Sequence, residues 1–168
     1  FCLLTCLGLP LTAQTKDVQT PVAKPKSTVA PTAAAKVERT KDGLMTLMVI
    51  VNEDSQIKEI SMSELRDIYT GDLMYLGKLK ISSYLSSEAE LNDAILRKVY
   101  QLRNKRLLKK MWMKKVYRGV VFSRPTTLSE AKAVVKSVSE EPGAIGIIPY
   151  GKVPKGVKVV PVDKKSKF

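Results

Sequence analysis

The chain has 168 residues and a formal net charge of +13 at pH 7, from 29 Lys and Arg against 16 Asp and Glu. It contains no His, which excludes imidazole metal ligands, Ser–His triads and His general bases from this chain. A chain of this length is sufficient for one domain with a single hydrophobic core.

Residues 1–13 have the pattern of a truncated secretory signal peptide. Both cysteines of the chain, Cys2 and Cys6, lie in an apolar run that ends with Pro10 and a few small residues. Cleavage is expected after Ala13, with lipid attachment at Cys6 as a variant; the alternative is an apolar core segment. The pattern predicts a periplasmic or otherwise extracytoplasmic protein.

Residues 14–43 are rich in Pro, Ala, Thr and Lys and have no aromatic residue and no periodic apolar pattern. Pro21, Pro25 and Pro31 favour extended backbone at the residues before them. The segment is therefore predicted to be a flexible or partly extended tether, and a single domain is predicted at 44–168.

The domain alternates apolar strand patterns with amphipathic helix patterns. Strands are predicted at 44–52, 79–85, 144–149 and 157–162, and helices at about 61–70, 87–102, 105–117 and 128–140. This alternation predicts an α/β fold with a mostly parallel sheet of about four to five strands and helices on its faces.

Three of the predicted helices begin with capping-box spacing, in which a Ser or Thr is followed three residues later by Glu. The three pairs are Ser61–Glu64, Ser87–Glu90 and Thr127–Glu130. Each pair is predicted to fix the first turn of its helix.

The run Ala144–Pro149 is predicted to be a central strand, because its residues are apolar on both faces. Pro142 and Gly143 are expected to form the turn that ends the preceding helix. Gly146 is expected to let another backbone or a ligand come close.

Three segments of the domain carry a family resemblance: 61–71 (SMSELRDIYTG), Trp112 with 116–125 (VYRGVVFSRP), and 141–149 (EPGAIGIIP). In this order and spacing they resemble the small phosphate-transporter substrate-binding-like proteins of the type 2 periplasmic binding protein superfamily. The resemblance covers about 47–160. It implies a fold like one lobe of a two-lobed anion-binding protein, with phosphate or a similar oxyanion as ligand and a transporter as a partner.

The resemblance places an oxyanion site at the carboxyl edge of the sheet. The larger phosphate binders have an Arg and a Gly-Ser-Gly-Thr loop there, whereas residues 82–90 of this chain (SSYLSSEAE) contain neither Arg nor Gly. The candidate ligand-binding residues are Asn52, Thr70, Gly71, Ser86, Ser87 and Thr126. Four of these have a structural alternative: Asn52 as a loop cap, Gly71 as a helix stop, and Ser87 and Thr126 as helix caps.

A basic run from 97 to 118 contains ten Lys and Arg and no acidic residue. It is either a solvated helix face or a positive surface for anionic lipid headgroups, cell-wall polyanions or nucleic acid. Nucleic acid is not expected, because an exported protein seldom meets it and the aromatic residues of the run, Tyr100, Trp112 and Tyr117, are predicted at or near core-facing positions. The aliphatic residues Leu107, Leu108, Met111 and Val116 are also predicted to face the core. The candidate partner-surface residues are Arg106, Lys109, Lys110, Lys114 and Lys115.

The sequence predicts neither an enzyme nor a bound cofactor or metal. It has no nucleophile with a base, no Gly-rich nucleotide loop and no cluster of metal ligands. Two functions remain. The first is an exported oxyanion-binding domain linked to phosphate transport. The second is an interaction or scaffold module of the cell envelope that keeps the fold, has lost the ligand and uses the basic face at 97–118.

Overall fold

A computed structural model describes residues 38–40, 43–120 and 123–168. The predicted signal peptide, with Cys6, and most of the predicted tether lie outside these residues. The secondary structure of the described part consists of β1 Leu47–Asn52, α1 Met62–Tyr69, β2 Tyr75–Leu76, β3 Leu79–Lys80, β4 Ser82–Ser86, α2 Ala89–Lys98, α3 Lys105–Tyr117, β5 Thr126–Leu128, α4 Ala131–Glu140, β6 Ala144–Pro149 and β7 Val157–Val160.

Five strands form one sheet in the order β5-β4-β6-β1-β7. Strand β4 pairs in parallel with β5 and β6, whereas β1 pairs antiparallel with both β6 and β7. Four strands therefore run in one direction and β1 runs in the other. The predicted fold class, an α/β fold with a mostly parallel sheet, is confirmed.

The core lies on both faces of the sheet, and β6 contributes to each of them. Ile145 and Ile147 belong to a cluster with residues of α1 and α2, and Ala144 and Ile148 belong to a second cluster with residues of α4. The first five residues of β6 are buried. The prediction that this strand is buried on both faces is confirmed.

The capping box of α1 is present, but the other two predicted boxes are wrong. The Ser61 hydroxyl accepts a hydrogen bond from the Glu64 amide, and the Glu64 carboxylate accepts one from the Ser61 amide at 2.9 Å. Helix α2 has Glu88 as its N-cap and α4 has Glu130, neither with a side-chain cap. The Ser87 amide donates to the Leu128 carbonyl of β5, and Thr127 lies within β5, so both residues take part in the β4–β5 pairing and the helices begin after them.

The sequence analysis missed the short strands β2 and β5, and the single strand that it predicted at 79–85 is divided by Ile81 into β3 and β4. Strands β2 and β3 form a hairpin around Gly77, whose φ of +62° suits glycine. Strand β5, only three residues long, pairs with β4 at the edge of the main sheet. These strands are too short to show a period-2 pattern in sequence.

Residues upstream of Leu44 also pair with the domain. The Glu38 carbonyl accepts a hydrogen bond from the Thr46 amide at 2.9 Å, and Arg39 forms an isolated bridge with Met45. The Arg39 guanidinium reaches the Glu90 carboxylate at 3.1 Å. Residues 38–40, which the sequence assigns to the tether, are therefore in contact with the sheet and with α2.

Candidate functional site

Ser86 and Ser87 lie at the carboxyl end of β4, where the sequence places the oxyanion site, but both hydroxyls have protein partners. Ser86 is fully buried and its hydroxyl accepts a hydrogen bond from the Glu88 amide at 3.2 Å. The exposed Ser87 donates its hydroxyl to the Ser129 carbonyl at 2.9 Å. Ser86 therefore offers no surface to a ligand, and Ser87 would have to exchange its partner.

A carboxylate occupies the helix start beside these serines. The Ala131 amide, the first of α4, donates to Glu88 Oε1 at 2.9 Å. Free amides at a helix start attract anions, and here Glu88 already takes that position. An oxyanion about 5 Å from this carboxylate would be repelled by on the order of 3 kcal/mol at an effective dielectric of 20.

Thr126 and Thr127 point to opposite faces of the sheet, since neighbouring residues of a strand alternate. Thr126 pairs with Tyr84, which packs on the α4 side, and Thr127 pairs with Leu85, which packs on the α1 and α2 side. Both threonines are exposed. Thr126, the predicted ligand residue, therefore lies away from the α2 and α3 side of the sheet.

Asn52 lies at the opposite edge of the sheet from Ser86, because β1 runs against its neighbours. It is buried, and its side-chain amide donates to the carbonyls of Val138 at 3.2 Å and Ser139 at 2.8 Å. Its side-chain oxygen accepts from the Asp54 amide at 2.9 Å. The structure thus does not bring Asn52 together with Ser86, and its polar atoms fasten the end of α4 to the sheet.

Thr70 and Gly71 follow α1, and Lys115 of α3 is bound to Thr70 and to the neighbouring Asp72. The Thr70 hydroxyl donates to Asp72 at 2.6 Å, and the Lys115 ammonium donates to the Thr70 carbonyl at 3.0 Å and to the Asp72 carboxylate. Burial raises the pKa of Asp72, but the hydrogen bonds from Lys115 and Thr70 outweigh it and hold that pKa below its usual value. This network joins α1 to α3 and uses both Thr70 and Lys115.

Helix α3 packs on the domain through one stripe of half-buried residues: Leu108, Met111, Trp112 and Lys115. The prediction that Leu107 and Val116 face inward is wrong, since their exposed fractions are 41% and 49%. The Lys115 ammonium takes the inward position that one of these residues was expected to fill. Lys115 is therefore not part of the outward surface, in contrast to the prediction.

The outward surface of α3 combines cations with exposed apolar side chains. Arg106, Lys109, Lys110 and Lys114 are exposed. Met113 and Tyr117, with exposed fractions of 63% and 93%, lie between them with Val116. The prediction that Tyr117 lies at or near a core-facing position is wrong, and Met113 was not predicted on this surface. Each lies three residues after an exposed cation, Met113 after Lys110 and Tyr117 after Lys114, which places both on this face of the helix. We call these seven residues the α3 outer face.

The described residues contain neither a metal site nor a membrane-spanning helix. No group of three or more Asp, Glu, His or Cys side chains in that part of the chain could hold a metal ion. None of the described helices has the length and hydrophobicity needed to cross a membrane.

The five-stranded sheet packs against α1 and α2 on one face and against α4 on the other, and this arrangement is shared with solved structures of other proteins. The chain is similar to a putative phosphate ABC transporter substrate-binding protein with bound phosphate from Clostridium perfringens, with a TM-score of 0.54 and 14% identity. It is also similar to PstS from Borrelia burgdorferi, with a TM-score of 0.53 and 20% identity. Both matches cover 71% of this chain.

The matched proteins are longer than this chain, which covers only 45% and 48% of them. No protein-family model and no curated protein matches the sequence. The predicted resemblance to phosphate-transporter substrate-binding proteins is confirmed at the level of the fold.

Proposed function

We propose that this domain is an exported, non-covalent binding module that docks on an acidic surface of the cell envelope through the α3 outer face. The single observation that carries the proposal is the exposure of Met113, Val116 and Tyr117 on a helix that has six Lys and Arg and no acidic residue. Anionic lipid headgroups fit this combination, since they attract the cations while the apolar tips insert between them.

The charge of α3 is only partly neutralised by the rest of the domain. Among the described residues, two ion pairs involve α3, Lys105 with Asp93 at 3.4 Å and Lys115 with Asp72. Arg106, Lys109, Lys110 and Lys114 make no ion pair in that part of the chain. Four cations therefore remain on one face for an acidic surface.

The carboxyl edge of the sheet supports this choice over an oxyanion site. Ser86 is buried, the Ser87 hydroxyl is used by Ser129, and the Glu88 carboxylate lies at the start of α4. Several neutral hydrogen bonds at about 1 kcal/mol each would be needed to offset the repulsion from that carboxylate.

Sedimentation with lipid vesicles tests the docking surface. We expect the purified protein to bind vesicles of phosphatidylglycerol and phosphatidylcholine and not vesicles of phosphatidylcholine alone. Each cation near an anionic surface contributes about 1 kcal/mol, so changing Arg106, Lys110 and Lys114 to Glu should weaken binding by roughly 100-fold or more. Changing Met113 and Tyr117 to Ser, which leaves the charge unaltered, should also weaken it.

Control variants outside α3 make the same change in net charge, or remove the same number of exposed apolar side chains, as the α3 variants do. Lys132, Lys152 and Lys155 are exposed outside α3, and their change to Glu alters the charge by the same amount. Tyr75 and Val153 are exposed apolar residues elsewhere and serve as the control for the Ser variants. The proposal fails if the anionic vesicles are not bound, or if the control variants lose as much binding as the α3 variants.

A second candidate function, oxyanion binding linked to phosphate transport, is favoured by the fold shared with the two phosphate transport proteins. Ser87, at the exposed carboxyl end of β4, would be the main side-chain donor of such a site. Because this chain spans less than half of those proteins, the second wall of a closed site would come from elsewhere.

Calorimetric titration with phosphate, with sulfate as the control anion, separates the two functions. We expect weak heat that disappears for both anions at about 150 mM salt, because screening suppresses attraction to a merely basic surface. Saturable binding of phosphate at that salt, without binding of sulfate and weakened tenfold by Ser87→Ala, would instead assign the second function.

A further inference from the structure

We propose that a cavity between α2, α3 and the β4–β5 edge of the sheet binds a small organic anion with a flat apolar body. The cavity has a volume of about 310 Å³, and its lining includes Asn92, Lys109, Trp112, Arg124 and Thr127. This volume lies at the lower end of the range of about 300–1,000 Å³ for small-molecule sites. The site is separate from Ser86 and Ser87, neither of which lines it.

The cavity has two cations and two neutral polar groups that are open to a ligand. Within the described residues, the polar side-chain atoms of Asn92, Lys109 and Thr127 make no hydrogen bond or ion pair. Lys109 and Arg124 carry the positive charge, and no acidic residue lines the cavity. Convergent donors without an acid beside them favour an anionic group.

Arg124 is held in place by the indole ring of Trp112. Its guanidinium carbon lies 5.3 Å from the ring centroid, which is within the range of cation–π contacts. A cation–π contact does not use the N–H groups that point away from the ring, and two of these can donate parallel hydrogen bonds to one ligand group. A carboxylate matches that pair of donors.

Much of the remaining lining is apolar. A fully hydrated inorganic ion would fit it poorly, because its water shell would face apolar side chains. Leu85, Leu108 and Pro125 line the cavity together with the ring of Trp112. A ligand that fills this space places apolar atoms against them and its carboxylate between Lys109 and Arg124. A small aromatic carboxylate has this form.

Trp112 is the single Trp of the chain, so its fluorescence reports on the cavity directly. We expect a saturable change in Trp emission when benzoate is added to the purified protein at about 150 mM salt, and none with the neutral analogue benzamide. Lys109→Gln, at an exposed residue, should weaken the benzoate response at least tenfold, and Thr127→Val should weaken it by a smaller factor.

The control variant Lys132→Gln removes one exposed cation from α4 and should bind benzoate as the unmodified protein does. Thermal melting of each variant verifies that it is folded. The proposal is overturned if benzoate gives no saturable change, if benzamide gives the same change, or if Lys109→Gln binds as tightly as Lys132→Gln. The vesicle experiment leaves Lys109 unaltered, so the two results are independent.

Discussion

Gly71 shows how a single residue can be required by its surroundings without contacting a ligand. Its φ is +73°, and a Cβ atom added to it would lie 2.3 Å from the Ser123 carbonyl oxygen and 3.4 Å from Trp112. The sequence explains it as a glycine that ends α1, and the backbone angle agrees with that interpretation. The close approach of Ser123 comes from elsewhere in the chain and has no local pattern in the sequence.

Gly71→Ala should destabilise the domain more than Gly77→Ala does. Gly77 also has a positive φ, of +62°, but nothing lies within 4 Å of its added Cβ, so it measures the cost of the backbone conformation alone. That cost is about 1–2 kcal/mol. The clash at Gly71 should add at least about 1 kcal/mol in the free energy of unfolding, measured by urea denaturation. If Gly71→Ala and Gly77→Ala lowered the free energy of unfolding equally, the close contact between Gly71 and Ser123 would be contradicted.

At the scale of elements, the close packing of α4 on β6 depends on Gly146, which has no side chain. A Cβ atom at Gly146 would lie 2.6 Å from Val134 Cγ1 and 3.1 Å from Val138 Cγ2. The sequence predicts close approach of a backbone or a ligand at this glycine, and the structure shows two valine side chains of α4 there. Val134 and Val138 are fully buried, so they cannot move into solvent.

Gly146→Ala should therefore cost about 1–3 kcal/mol of stability, the usual range for overpacking a core. Val134→Ala removes the nearest atom and should restore part of the loss, so that the double variant is more stable than the sum of the single changes predicts. Gly151→Ala, where an added Cβ meets nothing within 4 Å, is the neutral control. Additive free energies in chemical denaturation would show that the glycine and the helix are not in contact.

The helices and the central strand could be predicted because their signals are local. The apolar stripe of α1 and the Ser61–Glu64 capping box agree with the structure, and so does the buried run of β6. The predicted starts of α2 and α4 were too early. Strands β4 and β5, whose paired residues are 42 positions apart in the chain, engage Ser87 and Thr127 before the helices begin. Such pairing between distant segments has no local sequence signal.

At the scale of the whole molecule, an α/β fold with a mostly parallel sheet could be predicted from the periodicity, but the binding surfaces could not. The edge at which Asn52 lies depends on the direction of β1, and a strand pattern is the same in both directions. The outward position of Met113 and Tyr117 depends on which stripe of α3 packs inward. The hydrogen bonds from Lys115 to the Asp72 carboxylate and the Thr70 carbonyl fix which side of α3 faces inward, and the sequence does not indicate these contacts.

The reversed direction of β1 also sets the order in which the domain can fold. Both strands that flank β1 in the sheet, β6 and β7, come after residue 143, so its pairs close loops of roughly one hundred residues. Contacts so distant in sequence slow folding, and the centre of the sheet forms only after nearly the whole domain is synthesised. Until residues 144–160 have been synthesised, β1 has neither of its neighbours in the sheet and its backbone hydrogen-bonding groups remain unpaired by them.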